Sequence, residues 1–336
     1  MYLENNVNLK YYNSFGISTE AKGLIHIYSE NDIFEVLVKK MTPIHIIGGG
    51  SNILLTKNIE GYILRNEIKG IEIIDEDENQ LIVQVGAGEK WHHLVLWSLS
   101  HNLAGLENLS LIPGCVGAAP MQNIGAYGVE QENAFHSLKA IHLQSGVRKV
   151  FFKDDCHFGY RDSIFKNEYK NQYFITHVLY ILKKNNYNLH FDYGAIRDVL
   201  AAKSISSPTI HHISEAVIEI RKSKLPDPTI IGNAGSFFKN PVVPVSSFQS
   251  LKQKYHDIPS YPVSETSVKI PAGWLIEKAG YKGLQRNGIG VHHLQALVLV
   301  NFGSGQGGDI LALATEIKRS VQDIFDVTIE PEVNIW

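Results

Sequence analysis

The sequence predicts an α+β protein of more than one domain, and three observations carry that expectation. Its 336 residues exceed the roughly 150 that one ordinary domain organises. Apolar residues alternate with period two in several short runs and recur with helical spacing in others. Between them lie connections unusually rich in glycine, above all the stretch from Leu103 to Gly128.

Residues 24–48 read as strand, helix, strand. LIHIYS leads into a segment that Ser29 and Asp32 open with capping-box spacing, and PIHII ends at glycines. The pattern predicts a small βαβ unit. From Gly61 to Gly88 the runs YILRN, IEII and LIVQVGAG are separated by turn residues, which predicts antiparallel strands. Helical spacing follows from Glu89 to Asn102. Leu103–Gly128 then predicts a long loop with little regular structure, a kind of segment that is often functional. Strands resume with LKAIHL and YFITHVLYILKK. A helix over Pro208–Lys224 puts Ile213, Ala216, Val217 and Ile220 on one face, and Pro226 and Pro228 stop it. A second mixed region runs to about Phe302. A strong amphipathic helix over Asp309–Phe325 then turns Ile310, Leu313, Ala314, Ile317, Val321 and Ile324 inward, and VTIEPEVNIW closes as a strand.

With 31 basic against 34 acidic side chains, a net charge of -3, there is no overall positive field of the kind that draws in nucleic acid. An anionic ligand must therefore be met by local groups. Cys115 and Cys156 form no CxxC, so neither a disulfide framework nor a structural zinc site is expected, and a reducing compartment fits. The N-terminus lacks a signal-peptide pattern, and no apolar run reaches the ~18 residues of a membrane span. The expectation is a cytoplasmic protein without membrane or nucleic-acid partners.

Four stretches carry chemistry. GGGSN, Gly48 to Asn52, ends a strand where consecutive glycines let backbone N–H groups approach an anion such as a pyrophosphate, with Ser51 and Asn52 as added donors. A plain turn would read the same way. IPGCVGAAPMQNIGAYG, Ile112 to Gly128, concentrates small residues and prolines where backbone can lie against a flat ligand. NAGSFFKNP, Asn233 to Pro241, offers a serine, a lysine and two amides, and FGYRDSIFK offers Arg161 at the end of a loop. In TIEPEV, strand alternation puts Glu330 and Glu332 on one face. Together these supply an acid, a cation and a carboxylate for reaction at a carbon beside a carbonyl.

Two further features invite other assignments. Gly303, Gly305 and Gly308 stand in G-x-G-x-x-G register between a strand and a helix, with Asp323 and Asp326 near the expected distance. The chain ends one strand later, too soon to complete a mononucleotide-binding half, so an ordinary strand-to-helix turn is the preferred reading. The pairs His92–His93, His211–His212 and His292–His293 suggest metal only at first sight, because adjacent residues point different ways. They read as structural or surface groups.

NSFGI, GGGSN, IPGCVGAAPMQNIGAYG, FGYRDSIFK, GNAGSFFKNP, PAGWLIEKAGYKG, QALVLVN and EPEV, in this order, resemble the bacterial UDP-N-acetylenolpyruvoylglucosamine reductases over almost the whole chain. The resemblance implies a FAD-binding fold of the vanillyl-alcohol-oxidase type, with two flavin-binding subdomains (1–68 and 69–206), a substrate-binding domain (207–318) and a C-terminal segment (319–336) that returns to the FAD-binding part. It implies FAD as cofactor and NADPH as co-substrate. By motif position, Gly48, Gly49, Gly50, Ser51, Asn52, Pro113, Gly114, Ala118, Ala119, Gln122, Gly125 and Tyr127 would meet the flavin. Ser236 would be the proton donor, Arg161 and Glu332 would orient and polarise an enolpyruvyl carboxylate, Lys224 and Asn240 would meet a diphosphate, and Tyr193 and Gln295 would line the nucleotide-sugar pocket. LHFDYGAIRDVL, with Tyr193, resembles the longer family type, whose tyrosine loop closes over substrate. Family members commonly carry Thr or Ser where Cys115 stands. The implied setting is cytoplasmic synthesis of peptidoglycan precursors by a monomer. Two alternatives stay open on the sequence: a flavin oxidoreductase of the same fold with another substrate, and a non-catalytic nucleotide-binding regulator using the GSGQGG turn.

Overall fold

Asp32 accepts the backbone N–H groups of Ser29 and Tyr28 at 2.9 and 3.0 Å, so the capping box that the Ser–Asp spacing demands is in place. It opens the first helix of a computed structural model that describes residues 1–336. The chain forms two units: Met1–Val7, Ala21–Gly49 and Glu60–Ser223 make one, and Asn8–Glu20, Gly50–Ile59 and Lys224–Trp336 make the other.

The first unit begins with β1 (Tyr2–Asn8), β2 (Glu20–Ile27), α1 (Glu30–Val38) and β3 (Ile44–Ile47); β4 (Ile53–Leu54) belongs to the second unit, and β5 (Ile59–Asn66) returns to the first. The sheet order is β1-β2-β5-β3. The expected βαβ unit is thus split, because β5 lies between β2 and β3 and runs parallel to β3, Ile44 facing Tyr62. Antiparallel pairing was expected from this run. Consecutive buried residues Ile63 and Leu64 mark a strand covered on both faces, which suits an interior parallel position.

The second sheet contains β6 (Ile71–Glu76) and β7 (Gln80–Gly86), after which come α2 (Trp91–Ser100) and the small hairpin β8 (Gly125–Ala126) and β9 (Val129–Glu130). β10 (Phe135–His142), β11 (Arg148–Phe152) and β12 (Tyr173–Lys183) complete an antiparallel sheet in the order β11-β10-β12-β7-β6. Fully buried Tyr180 on β12 meets Trp91 of α2 edge to face at 5.8 Å and donates its hydroxyl to Gln131 at 3.2 Å. Leu103–Gly128 crosses this core as single turns, as its composition predicts. α3 (Gly194–Ala202) and α4 (Ile210–Lys224) then pack Ile196 and Leu200 against Ile213, Ala216, Val217 and Ile220.

In the second unit β13 (Gly232–Ser236), β14 (Val242–Pro244), α5 (Val245–Lys254), β15 (Tyr261–Pro262), β16 (Ser267–Lys269), α6 (Ala272–Lys278), β17 (Gln285–Arg286), β18 (Ile289–Val291) and β19 (Val298–Asn301) precede the long α7 (Gly307–Phe325) and β20 (Asn334–Ile335). The main sheet is β13-β19-β18-β17, antiparallel throughout. β20 pairs with β4 in parallel. α7 buries Ile310, Leu313, Ala314, Ile317 and Val321 as its periodicity requires. Ile324 departs from the expectation: it is 46% exposed, and Phe325 takes the buried place. The expected closing strand also does not run unbroken. Pro331 lacks an N–H for a ladder, and pairing there reduces to one bridge between Phe238 and Pro331 before β20. No helix is long and apolar enough to cross a membrane.

Candidate active site

In the first unit, Gly48 and Gly49 of GGGSN meet a neighbouring loop rather than open space. A Cβ on Gly48 would lie 3.3 Å from Cβ of Cys115, and one on Gly49 would lie 3.0 Å from Cα of Gly114. The strand-end loop and the IPGCVGAAP loop therefore pack main chain on main chain. The second loop is itself laced down: Gly114 accepts from the Trp91 N–H at 3.0 Å, and the Val116 and Gly117 N–H groups donate to Glu89 and Ala87 at 2.8 Å each. His92 adds a side-chain anchor by accepting the Leu111 N–H at 2.9 Å. Gly49, Pro113 and Ala118 remain exposed, whereas Ala119 is built into the core. Burial pushes the Cys115 thiol up, so it stays protonated.

Arg161 adopts the left-handed region at φ 53°, as do Asn123 at 45° and Tyr127 at 50°. Non-glycine residues persist there only when their surroundings enforce it, and such positions cluster at functional sites. Here the enforcement is visible. The Arg161 guanidinium donates to the Gly125 carbonyl, sits 3.6 Å from Glu130 and lies over the Tyr160 ring. Buried Asn123 donates to Glu130 at 2.8 Å, Glu132 at 3.1 Å and Gly159 at 3.2 Å. Ser163 donates to the Met121 carbonyl at 2.8 Å. The FGYRDS loop and the loop containing Gln122, Gly125 and Tyr127 are thus clamped together. Tyr193, the residue before α3, is 43% exposed and meets Tyr127 edge to face at 5.6 Å. Burial raises the Tyr127 phenol, with Arg221 opposing.

In the second unit, Ser236 ends β13 opposite Val298, after a register shift that begins at Asn233. The shift has a local cause. Asn233 accepts the Gly235 N–H at 2.9 Å and donates to the carbonyls of Ile231 and Pro226 at 2.8 and 3.1 Å, while Gly235 takes φ +69°. Such a bulge re-aims the side chain that follows. Phe237 and Phe238, next in sequence, are buried and anchor the strand end. The Phe237 carbonyl accepts the Glu332 N–H at 2.8 Å. Ser236 and Glu332 are therefore brought onto adjacent backbone, although the sequence separates them widely. Glu330, expected on the same face, goes elsewhere: it is exposed and pairs with Lys318 at 2.6 Å. The Asn52 side chain of GGGSN donates to the Glu332 carbonyl at 3.4 Å, and the Asn52 backbone carbonyl accepts from the Asn334 side chain at 3.1 Å, so this residue ties down the same segment. The Asn240 oxygen receives the Ala272 N–H at 2.9 Å, and the Gln295 oxygen receives the Leu297 N–H at 3.3 Å. Lys224, at the end of α4, is exposed.

The G-x-G-x-x-G turn is closed to phosphate by its own neighbour. Asn301 accepts the N–H groups of both Gly303 and Gly305 at 2.9 Å and donates to Phe15 at 2.9 Å. The strand before it lies in an antiparallel sheet, whereas the dinucleotide fold needs a parallel one. Of the three, Gly305 serves packing, since a Cβ there would sit 2.1 Å from the Ile289 side chain, and its neighbour Gly307, outside the register, would meet the Leu55 carbonyl at 1.8 Å.

The sequence reading missed Arg221. It stands four residues after Val217 on the buried face of α4, and its Nε is sealed from solvent without a hydrogen-bond partner. A cation in register with an apolar stripe was the available signal.

Two family models match the chain: a FAD binding domain over residues 29–148, and the C-terminal domain of UDP-N-acetylenolpyruvoylglucosamine reductase over residues 227–336. The reductase of that name from Flavobacterium johnsoniae is 48% identical, with 100% of both chains covered, and that from Pseudomonas aeruginosa is 46% identical over 99% of each. Among solved structures, the Thermus caldophilus reductase shares the fold with a TM-score of 0.69 at 24% identity, covering 100% of this chain and 99% of that one. The 4-ethylphenol oxidase of Gulosibacter chungangensis shares it more loosely, with a TM-score of 0.50 at 9% identity over 96% of this chain and 84% of that one. The fold is thus the FAD-binding fold of vanillyl-alcohol-oxidase type, and the chain belongs to the UDP-N-acetylenolpyruvoylglucosamine reductase family.

Proposed function

We propose that this protein reduces UDP-N-acetylglucosamine enolpyruvate to UDP-N-acetylmuramate with NADPH, through bound FAD, in the synthesis of peptidoglycan precursors. The observation that supports the reading is the backbone bond from the Glu332 N–H to the carbonyl of Phe237, the residue after the serine of GNAGSFFKNP, in a chain of this family.

The residues fit a flavin. Two loops of glycine, proline and alanine offer backbone rather than bulk, as a flat ring and a pyrophosphate require. Bound FAD would supply the hydride chemistry that links NADPH to the terminal vinyl carbon of the substrate. Negative charge then builds at the neighbouring carbon and in the carboxylate. Arg161 is assigned to neutralise that carboxylate, and Glu332, held protonated or sharing a proton, to polarise it. Ser236 gives its proton to the carbanion-like carbon, which completes addition of hydride and proton across the double bond. Lys224 and Asn240 are assigned to the diphosphate. Asn240 has its oxygen engaged at α6, which turns its NH₂ into the end available to an anion. Tyr193 and Gln295 are assigned to the nucleotide sugar. The reading also places the protein in the cytoplasm as a monomer serving cell shape and division, with residues 1–68, 69–206, 207–318 and 319–336 as its functional segments.

The test separates the half-reactions. Ser236→Ala should leave reduction of the flavin by NADPH near wild type and slow reoxidation by the enolpyruvyl sugar about 10²–10⁴-fold. Rapid-mixing absorbance of the flavin follows both. Equal slowing of the two, or of neither, removes Ser236 from its role.

A further inference from the structure

The Arg161 side chain leaves a stretch of backbone that gives it little direction. Gly159 and Asp162 exchange N–H groups and carbonyls at 3.1 Å each, so Tyr160 and Arg161 form the tip of a two-residue turn, with Arg161 left-handed at φ 53°. A long side chain at such a tip has many rotamers, and partners must select one. Two of its partners come from one rung of one hairpin. Gly125 on β8, whose carbonyl accepts from the guanidinium, faces Glu130 on β9, whose carboxylate stands 3.6 Å from Nη1. Gly125 leaves the room for that meeting, since a Cβ there would lie 2.8 Å from Cγ of Glu130 and 3.0 Å from Nη1 of Arg161.

Glu130 is itself aimed. Its side chain accepts the Asn133 backbone N–H, while its own N–H donates to the Asn133 side chain at 2.9 Å. Oε2 accepts from Asn123 at 2.8 Å, and Oε1 is the atom presented to Arg161. Asn123 is fully buried and also donates at 3.2 Å to the carbonyl of Gly159, the base of the Arg161 turn. One amide thus holds both ends of the ion pair. The amide is held in its turn, because its oxygen accepts the Glu132 N–H at 3.2 Å. A partly open ion pair adds little to stability, so the value of this one lies in the direction it gives.

We propose that Glu130 is a positioning residue of the reduction, which sets the Arg161 guanidinium toward the enolpyruvyl carboxylate without touching substrate itself. The inference rests on the function proposed above and deepens it. Without Glu130 the nucleotide sugar still binds, but the cation is misaimed, and misplacement by about 1 Å can cost on the order of 10²-fold in rate.

The experiment uses the full-length flavoprotein with Glu130→Gln, Arg161→Met and the double variant, after flavin content and thermal midpoint have been measured for each. Glutamine can still accept from Asn123, but it then turns an NH₂ toward a guanidinium that has only donors. Rapid mixing follows reduction of the flavin by NADPH and its reoxidation by the enolpyruvyl sugar, per bound flavin. Glu130→Gln should slow reoxidation about 10–100-fold and leave reduction within about twofold of wild type. In the Arg161→Met background it should slow reoxidation no further, because a residue that acts through a partner loses its effect once the partner is gone. Equal slowing of both half-reactions, reoxidation at the wild-type rate, or the same slowing in both backgrounds overturns the inference and leaves the proposed function standing. Wild-type flavin that the enolpyruvyl sugar does not reoxidise removes the proposed function, and the inference with it. Should Glu130→Gln fail to fold, Glu130→Asp decides, since it keeps the charge but draws it back by one methylene: slowed reoxidation with normal reduction upholds the role, and wild-type rates in both reject it.

Discussion

At Gly50 the backbone is left-handed, φ +63°, and a Cβ would stand 2.0 Å from the Tyr12 carbonyl oxygen. The same glycine accepts the Ser14 N–H at 3.0 Å through its carbonyl. A side chain here must therefore displace main chain rather than a flexible neighbour. Gly50→Ala is expected to cost more than about 2 kcal/mol, read as a lowered denaturant midpoint, with flavin content falling in proportion to the unfolded fraction. Normal stability with selectively lost flavin would place the methyl group against the cofactor instead. The residue scale is also where sequence reading was most uneven. Ser236, Glu332 and Arg161 stand out in the sequence because each sits in a motif whose residue types make chemical sense together, and their roles are proposals. Arg221 was passed over because a basic residue near the end of a surface helix ordinarily reads as a solvated charge, although it keeps register with the apolar stripe of α4.

Asn301 organises the turn from β19 into α7 by holding two glycine N–H groups and reaching back to Phe15. Asn301→Ala strands both donors and the Phe15 carbonyl, and a loss of about 3 kcal/mol or more in unfolding free energy is expected. Denaturant unfolding at an unchanged m-value checks it; a loss below about 1 kcal/mol would mean that water replaces the amide. Flavin content should follow stability alone, since this turn is a structural joint. Elements whose signal is local were readable: the Ser29–Asp32 cap, the α4 and α7 stripes, and the alternation of β7. The misreadings have a common cause in non-local competition. β5 entered the first sheet because its two-sided burial needed neighbours on both edges. TIEPEV lost continuous pairing at Pro331, and with it the shared face expected for Glu330 and Glu332.

Over the whole molecule, His92, His177 and His292 all have their pKa lowered, in each case chiefly by burial. Each binds a proton more readily in the unfolded chain, so their contribution to stability is full above the ordinary histidine value near 6.5 and is lost as pH falls below it toward the lower folded values. Protonation of His92 would in addition remove the acceptor of the Leu111 N–H. The urea midpoint should thus decline between about pH 7 and pH 5.5, and His92→Gln, which keeps an acceptor without a titration, should flatten part of the decline. A midpoint constant over that range would show that burial of these rings is not linked to folding. The domain-scale content of the sequence was legible as composition, in a length and a mixed pattern that call for more than one domain. The chain supplies the second unit from Asn8–Glu20, Gly50–Ile59 and Lys224–Trp336. During synthesis, at ~5–20 residues per second, the two early pieces must wait on the order of ten seconds for their partner to leave the ribosome. Apolar groups such as Leu9, Phe15, Ile17 and Leu54, all buried in the finished protein, are unprotected in that interval. Nascent chains halted before Lys224 should accordingly be the form most in need of a chaperone.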